Sequence, residues 1–188
     1  MKKFLVCAMM LWLSQTTTAV ELDGVTLPDT VHLGNSNLVL NGAGVRSKFI
    51  FDLYVTALYL GARKNMATAV LADPGEKRIA MYFLDDISAE NLLYSFDHGI
   101  RDNHTSDELA VMKEDLHKFD VICHRMIRLK KGDVILFDYQ IGTGTQIWVN
   151  GGGRGTIPGA AFYNALLKIW LGEKPEQQDL KLKLLGGF

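Results

Sequence analysis

Cysteine is nearly absent from this chain: Cys7 and Cys123 are the only two in 188 residues. Cys7 lies in an N-terminal segment that reads as removable. The rest of the chain then has no internal disulfide available and must be held by its core. Long apolar runs are missing as well. The longest, Phe4 to Leu13, has ten residues, against about 20 for a helix that crosses a bilayer. No integral membrane span is expected once that segment is gone. Neither sign of charge dominates, since 20 Lys and Arg balance 21 Asp and Glu for a net charge of −1. Basic residues cluster only at Arg125, Arg128, Lys130 and Lys131, among acidic neighbours, which argues against a nucleic-acid partner.

Signatures of familiar chemistry are also absent. Gly151-Gly-Gly-Arg-Gly155 lacks the Gly-Lys-Ser/Thr ending of a phosphate loop and the offsets of a dinucleotide fingerprint. A glycine-rich hairpin end is the better reading. The histidines, His32, His98, His104, His117 and His124, show no His-x-x-x-His spacing, so neither a metal nor another cofactor is expected. No Gly-x-Ser-x-Gly elbow occurs. Asp85-Asp86 precedes a helix start and reads as solvated loop. Cys123, in Phe119-Asp-Val-Ile-Cys123, has the setting of a buried, inert thiol.

What is present suits one ordinary domain: 48% of residues are hydrophobic and 22% charged, enough for a real core. Residues 1–19 read as a secretory signal peptide. Met1-Lys-Lys3 is its basic start, Phe4 to Leu13 its apolar stretch, and Thr17 and Ala19 are small enough for the −3 and −1 positions. Cleavage after Ala19 predicts a periplasmic or secreted bacterial protein whose single domain is residues 20–188.

Within that domain, Val20 to Leu27 alternates around Asp23-Gly24, a hairpin signal. After Asn41-Gly42, Val45 to Leu60 is rich in β-branched and aromatic residues and reads as strand with a bend, bulge or reversal inside it. Residues 64 to 72 read as a short helix stopped by Asp73-Pro-Gly75, and Arg78 to Leu84 as strand. Ser88 caps a helix carrying Leu92, Leu93, Phe96 and Ile100; Ser106 caps another carrying Leu109, Met112, Leu116 and Phe119. Val134 to Ile141 and Gln146 to Val149 form a hairpin through Gly142-Thr-Gly-Thr145. Phe162 to Leu171 is helical with Gly172 as its C′ residue, and Leu180 to Leu185 forms a last short helix. The order predicts an α+β fold, a mainly antiparallel sheet with helices packed on one face.

Arg46 is the residue of most chemical interest. It stands beside Gly44, ahead of Phe49-Ile-Phe51. An inward arginine among apolar residues needs a carboxylate or polarised oxygen to meet it, with Tyr54 or Tyr59 as nearby phenol donors. A solvated position opposite Val45 is the equal alternative.

Gly42-Ala-Gly-Val-Arg46 followed by Tyr54-Val-Thr-Ala-Leu-Tyr-Leu60 resembles the early sheet of the chalcone isomerase fold. The tail resembles it too, through Gly153-Arg-Gly-Thr-Ile-Pro-Gly159, Phe162, Ala165-Leu-Leu-Lys-Ile-Trp-Leu-Gly172 and Pro175. The chain is similar, over nearly all of residues 20–188, to the bacterial chalcone isomerase-like proteins. The resemblance implies a large antiparallel sheet covered on one face by helices, with a ligand cleft between them. It also implies that Arg46 points into that cleft, to stabilise an enolate in a chalcone-cyclising enzyme or to bind the carboxylate of a fatty acid. Tyr54 matches the fatty-acid binders, where the enzymes carry threonine. Leu92, Ser95 and Gly99 stand where the enzymes carry tyrosine, lysine and asparagine, and leucine cannot donate to an oxyanion. The favoured expectation is therefore a non-catalytic binder of a lipophilic acid through Arg46 and Tyr54. An isomerase or intramolecular lyase using the same two residues, and an interaction module without a pocket ligand, are the alternatives. On a straight strand Arg46 and Tyr54 would stand ~26 Å apart at ~3.3 Å per residue. They meet only if the chain reverses between Lys48 and Asp52, where no glycine or asparagine marks a turn.

Overall fold

The computed structural model describes residues 19–125 and 128–187. Apart from Ala19, the expected signal peptide lies outside the described residues. The first hairpin joins β1 (Ala19–Leu22) to β2 (Val25–Pro28). Asp23 and Gly24 take φ of 47° and 77°, the two left-handed conformations that a tight hairpin turn favours.

The remaining strands are β3 (Thr30–Leu33), β4 (Ser36–Lys48), β5 (Phe51–Leu60), β6 (Lys77–Phe83), the two-residue β7 (Ile87–Ser88) and β8 (Arg128–Leu129), β9 (Val134–Gln140), β10 (Gly144–Val149) and β11 (Gly152–Ile157). Seven of them form one antiparallel sheet in the order β11-β10-β9-β6-β5-β4-β3. The helices are α1 (Ala67–Leu71), α2 (Ala89–Asp102), α3 (Ser106–Val111), α4 (Lys113–His124), α5 (Ala161–Leu171) and α6 (Gln178–Leu184). This is the expected α+β architecture.

Alternation along β5 divides the core. Tyr54, Leu58 and Leu60 face the helices together with Ile79, Met81 and Phe83. Val55, Ala57 and Tyr59 face the other way, beneath Leu27, Leu33, Leu38 and Leu40. The first hairpin thus covers the face that the helices leave open, and β5 from Tyr54 onward is buried on both sides. Beneath α2, α4 and α5 the rings of Phe96, Phe119, Phe137, Phe162 and Trp170 pack with centroids 5.1 to 6.2 Å apart.

Local differences from expectation have local causes. The strand expected from Val45 begins at Ser36 and runs through Asn41-Gly42 with a register shift. Glycine at 42 and 44 answers to α6: an added Cβ would lie 2.1 Å from the Lys183 carbonyl oxygen and 2.8 Å from Leu180 Cδ1 respectively. Gly151-Gly155 is only in part a turn. Asn150 and Gly151 make the reversal, and Gly152 onward is the edge strand β11, where Gly155 lets Ile122 approach. Thr105, not Ser106, caps the third helix, in a reciprocal capping box with Glu108. That helix divides at Met112 into α3 and α4. Gly172 is extended rather than left-handed; it is required because a Cβ there would lie 2.2 Å from Asn103 Oδ1.

Cys123 is buried as expected, and burial pushes its thiol up to about 12. A chain lacking residues 1–19 is expected to resist iodoacetamide at pH 8 until denatured. Mass-spectrometric detection of fast labelling in the native state would contradict that burial.

Candidate functional site

The reversal that the Arg46–Tyr54 pairing requires is made by Phe49 and Ile50, with Phe49 at φ 57°. Arg46 and Tyr54 become direct cross-strand partners on β4 and β5. Being opposite one another in the ladder, their side chains project from the same sheet face.

They converge on one carboxylate, and it is the protein's own. Arg46 Nη2 lies 3.0 Å from Glu176 Oε1, and the Tyr54 hydroxyl donates to Glu176 Oε2 at 3.1 Å. Arg46 Nη1 donates to Gln177 Oε1 at 3.3 Å and to the Ser47 carbonyl. Its Nε is buried without a hydrogen-bond partner among the described residues. The Arg46 and Glu176 side chains are each 14% exposed. The expectation of a guanidinium facing an unoccupied hollow is corrected here: the anion it needs is supplied from within the chain.

The segment between α5 and α6 delivers that anion. The Glu176 amide donates to the Ile169 carbonyl at 2.9 Å, and Asn103 brackets Lys174 with bonds of 2.8 and 2.9 Å. Gln177 then acts as a short stand-in strand. Its Oε1 accepts from the Ser47 amide at 3.0 Å and its Nε2 donates to the Val45 carbonyl at 3.4 Å, satisfying backbone groups of β4 that would otherwise lack a strand partner.

Burial holds the Tyr54 phenol well above its ordinary pKa; the Glu176 charge adds to this and the Arg46 charge opposes it. Trp170 presents its indole N–H toward that phenol and tempers the rise, short of a full hydrogen bond. Tyr54 is therefore a proton donor at neutral pH. Tyr59, considered above as a second phenol donor, points to the opposite sheet face beside Tyr82 and takes no part.

Two adjoining hollows flank the pair. One of about 240 Å³ is lined by Leu53, Tyr54, Ile87, Leu92 and Tyr94 among others. The second, about 340 Å³, runs past Ser95, His98, Gly99 and Pro175. Both are bounded by Arg46 and Glu176, and Leu92, Ser95 and Gly99 lie on the α2 wall. Larger hollows of about 590 and 640 Å³ lie near Asn103 and Gly42. In the latter, Lys64 and Lys183 are already paired with Asp73 and Asp179. No group of three or more His, Cys, Asp or Glu among the described residues could hold a metal ion. Likewise, no described helix is long and apolar enough to cross a membrane.

Sequence reasoning singled out Arg46 and Tyr54, which the structure brings together, and missed Glu176 and Gln177. An acidic residue after Pro175 in a loop carries no signal that would have found it.

Comparison with known proteins gives concordant results. A family model described as chalcone isomerase-like matches residues 19–186. No curated protein matches. Among 37 matching chains of solved structures is a fatty-acid binding protein of Arabidopsis thaliana. It is 14% identical, with a TM-score of 0.67, over 89% of this chain and 96% of that one. At that identity the likeness is one of fold.

Proposed function

The chain belongs to the chalcone isomerase-like family, and from that premise we propose that it is an exported, non-catalytic binder of a fatty acid or similar lipophilic acid. One observation carries the reading. Arg46 and Tyr54 are cross-strand partners that already grip a carboxylate in charge-assisted geometry, so they form a receptor for that group. Glu176 holds the place of the ligand's head. Its side chain can rotate toward solvent, and an incoming carboxylate then takes over both contacts. Leu53, Ile87 and Leu92 would receive the first part of the tail. The fatty-acid binding of the Arabidopsis structure supports the same reading. Export after cleavage behind Ala19, and a bacterial periplasm as destination, complete the proposal.

A second reading has its own observation. The aromatic packing beneath α2, α4 and α5 fills the interior, as an interaction module without a ligand would. One experiment separates the two. Protein recovered from the periplasm is extracted with organic solvent for mass spectrometry, then titrated with a fluorescent long-chain fatty acid. A bound acid and saturable one-to-one uptake are expected. An empty extract with no saturable uptake leaves the interaction module.

A further inference from the structure

The turn between β4 and β5 exposes three large apolar side chains in a row: Phe49 at 92%, Ile50 at 88% and Phe51 at 58%. Phe49 also holds its φ of 57°, a left-handed conformation that is costly for a bulky side chain and free for glycine. As a hairpin turn, Phe-Ile is inferior to a pair such as Gly-Ser. Apolar exposure and backbone strain at one spot mark a segment kept for what it contacts. The tip is convex, so it encloses nothing itself; something else must take it in.

We infer that the Phe49-Ile50-Phe51 tip inserts into the surface of a lipid bilayer and holds the mouth of the Arg46–Tyr54 cleft against it. The cleft opens at the base of this hairpin, where Lys48, Leu53 and Tyr54 line it. On its α2 wall stands Tyr94, 71% exposed, a residue type that settles at membrane–water interfaces. Lys48 directly precedes the tip, and its aliphatic stem and cationic head suit headgroup depth. The choice of a bilayer over a protein groove rests on the lipophilic-acid reading above. Such acids reside in membranes rather than water, and a mouth held at the surface receives them directly.

The test uses a chain lacking residues 1–19, floated with phosphatidylcholine vesicles with and without phosphatidylglycerol, no fatty acid being added. The wild type is expected to float with both, because apolar insertion rather than charge drives it. The variant Phe49→Gly/Ile50→Ser/Phe51→Thr is expected to lose at least about tenfold in partitioning, having removed the inserting surface. Its Tm is expected to hold or rise, since glycine relieves the left-handed position. Arg46→Met, which leaves the tip intact, is expected to float like the wild type. Failure of the wild type to float, or equal flotation of the tip variant, would overturn the inference. So would a wild-type dimer that the tip variant dissolves, because the tip would then pair copies of the chain. If fatty-acid binding fails while tip-dependent flotation persists, only the ligand reading falls.

Discussion

Arg46→Met is expected to abolish saturable fatty-acid binding, while Glu176→Gln tightens it about tenfold, the worth of exchanging a charge-assisted for a neutral hydrogen bond. The opposite signs follow from one geometry. Arg46 and Tyr54 hold Glu176 at 3.0 and 3.1 Å, so every external carboxylate competes with an internal one. That internal competitor acts at an effective concentration of about millimolar or more. Glutamine keeps its shape but removes its charge; its amide oxygen still accepts from Arg46, while its NH2 replaces the oxygen to which Tyr54 donates. Methionine at 46 retains volume and apolar contact while deleting the cation. The measurement is displacement of a fluorescent fatty acid, with thermal unfolding recorded in parallel. If Glu176→Gln leaves binding absent and only lowers Tm, the Arg46–Glu176 pair is a structural latch and the receptor reading is lost.

Arg78→Met is expected to destabilise the fold by about 3–5 kcal/mol, because it strands a buried carboxylate. Arg78 and Asp138 are cross-strand partners on β6 and β9. They meet through two bonds, Nε to Oδ1 at 2.5 Å and Nη2 to Oδ2 at 2.7 Å. Asp138 is only 3% exposed and lies on β9, an interior strand of the sheet. The Glu176 side chain is more exposed, 14% against 4% for that of Asp138, and for that reason Arg46→Met is expected to cost less stability. Replacing both partners, as Arg78→Met/Asp138→Leu, removes the stranded charge along with the pair and is expected to recover most of the loss. Urea denaturation of the three proteins checks this; a double variant as unstable as Arg78→Met would mean that packing, not charge, explains the effect.

Much of the fold was legible because its signals are local. Asp23-Gly24 announces a hairpin through backbone permissiveness, and Ser88 announces α2 because its side chain accepts the Asn91 amide. Capping was read one residue late at Ser106 because Thr and Ser stand side by side and both can cap. The β4–β5 turn was expected only as some reversal within a long strand region. Phe49-Ile50 lacks turn chemistry, and the ladder on both sides imposes the conformation instead. Glycines 42, 44, 155 and 172 look like flexibility in the sequence, whereas each answers to a neighbour arriving from elsewhere.

The candidate site divides in the same way. That Tyr54 and Tyr59 point to opposite faces is a matter of parity along one strand, readable without coordinates. The identity of each face is not, since it depends on helices and a hairpin from distant parts of the chain. By itself the sequence determined the α+β fold class, most element positions, and Arg46 and Tyr54 as the pair of interest, because these follow from spacing, alternation and motif. Only the tertiary structure decided that Arg46 is already engaged. Its partner Glu176 lies 130 residues away, on a loop placed by the ends of α5 and α6, and nothing in the residues around either one records that meeting.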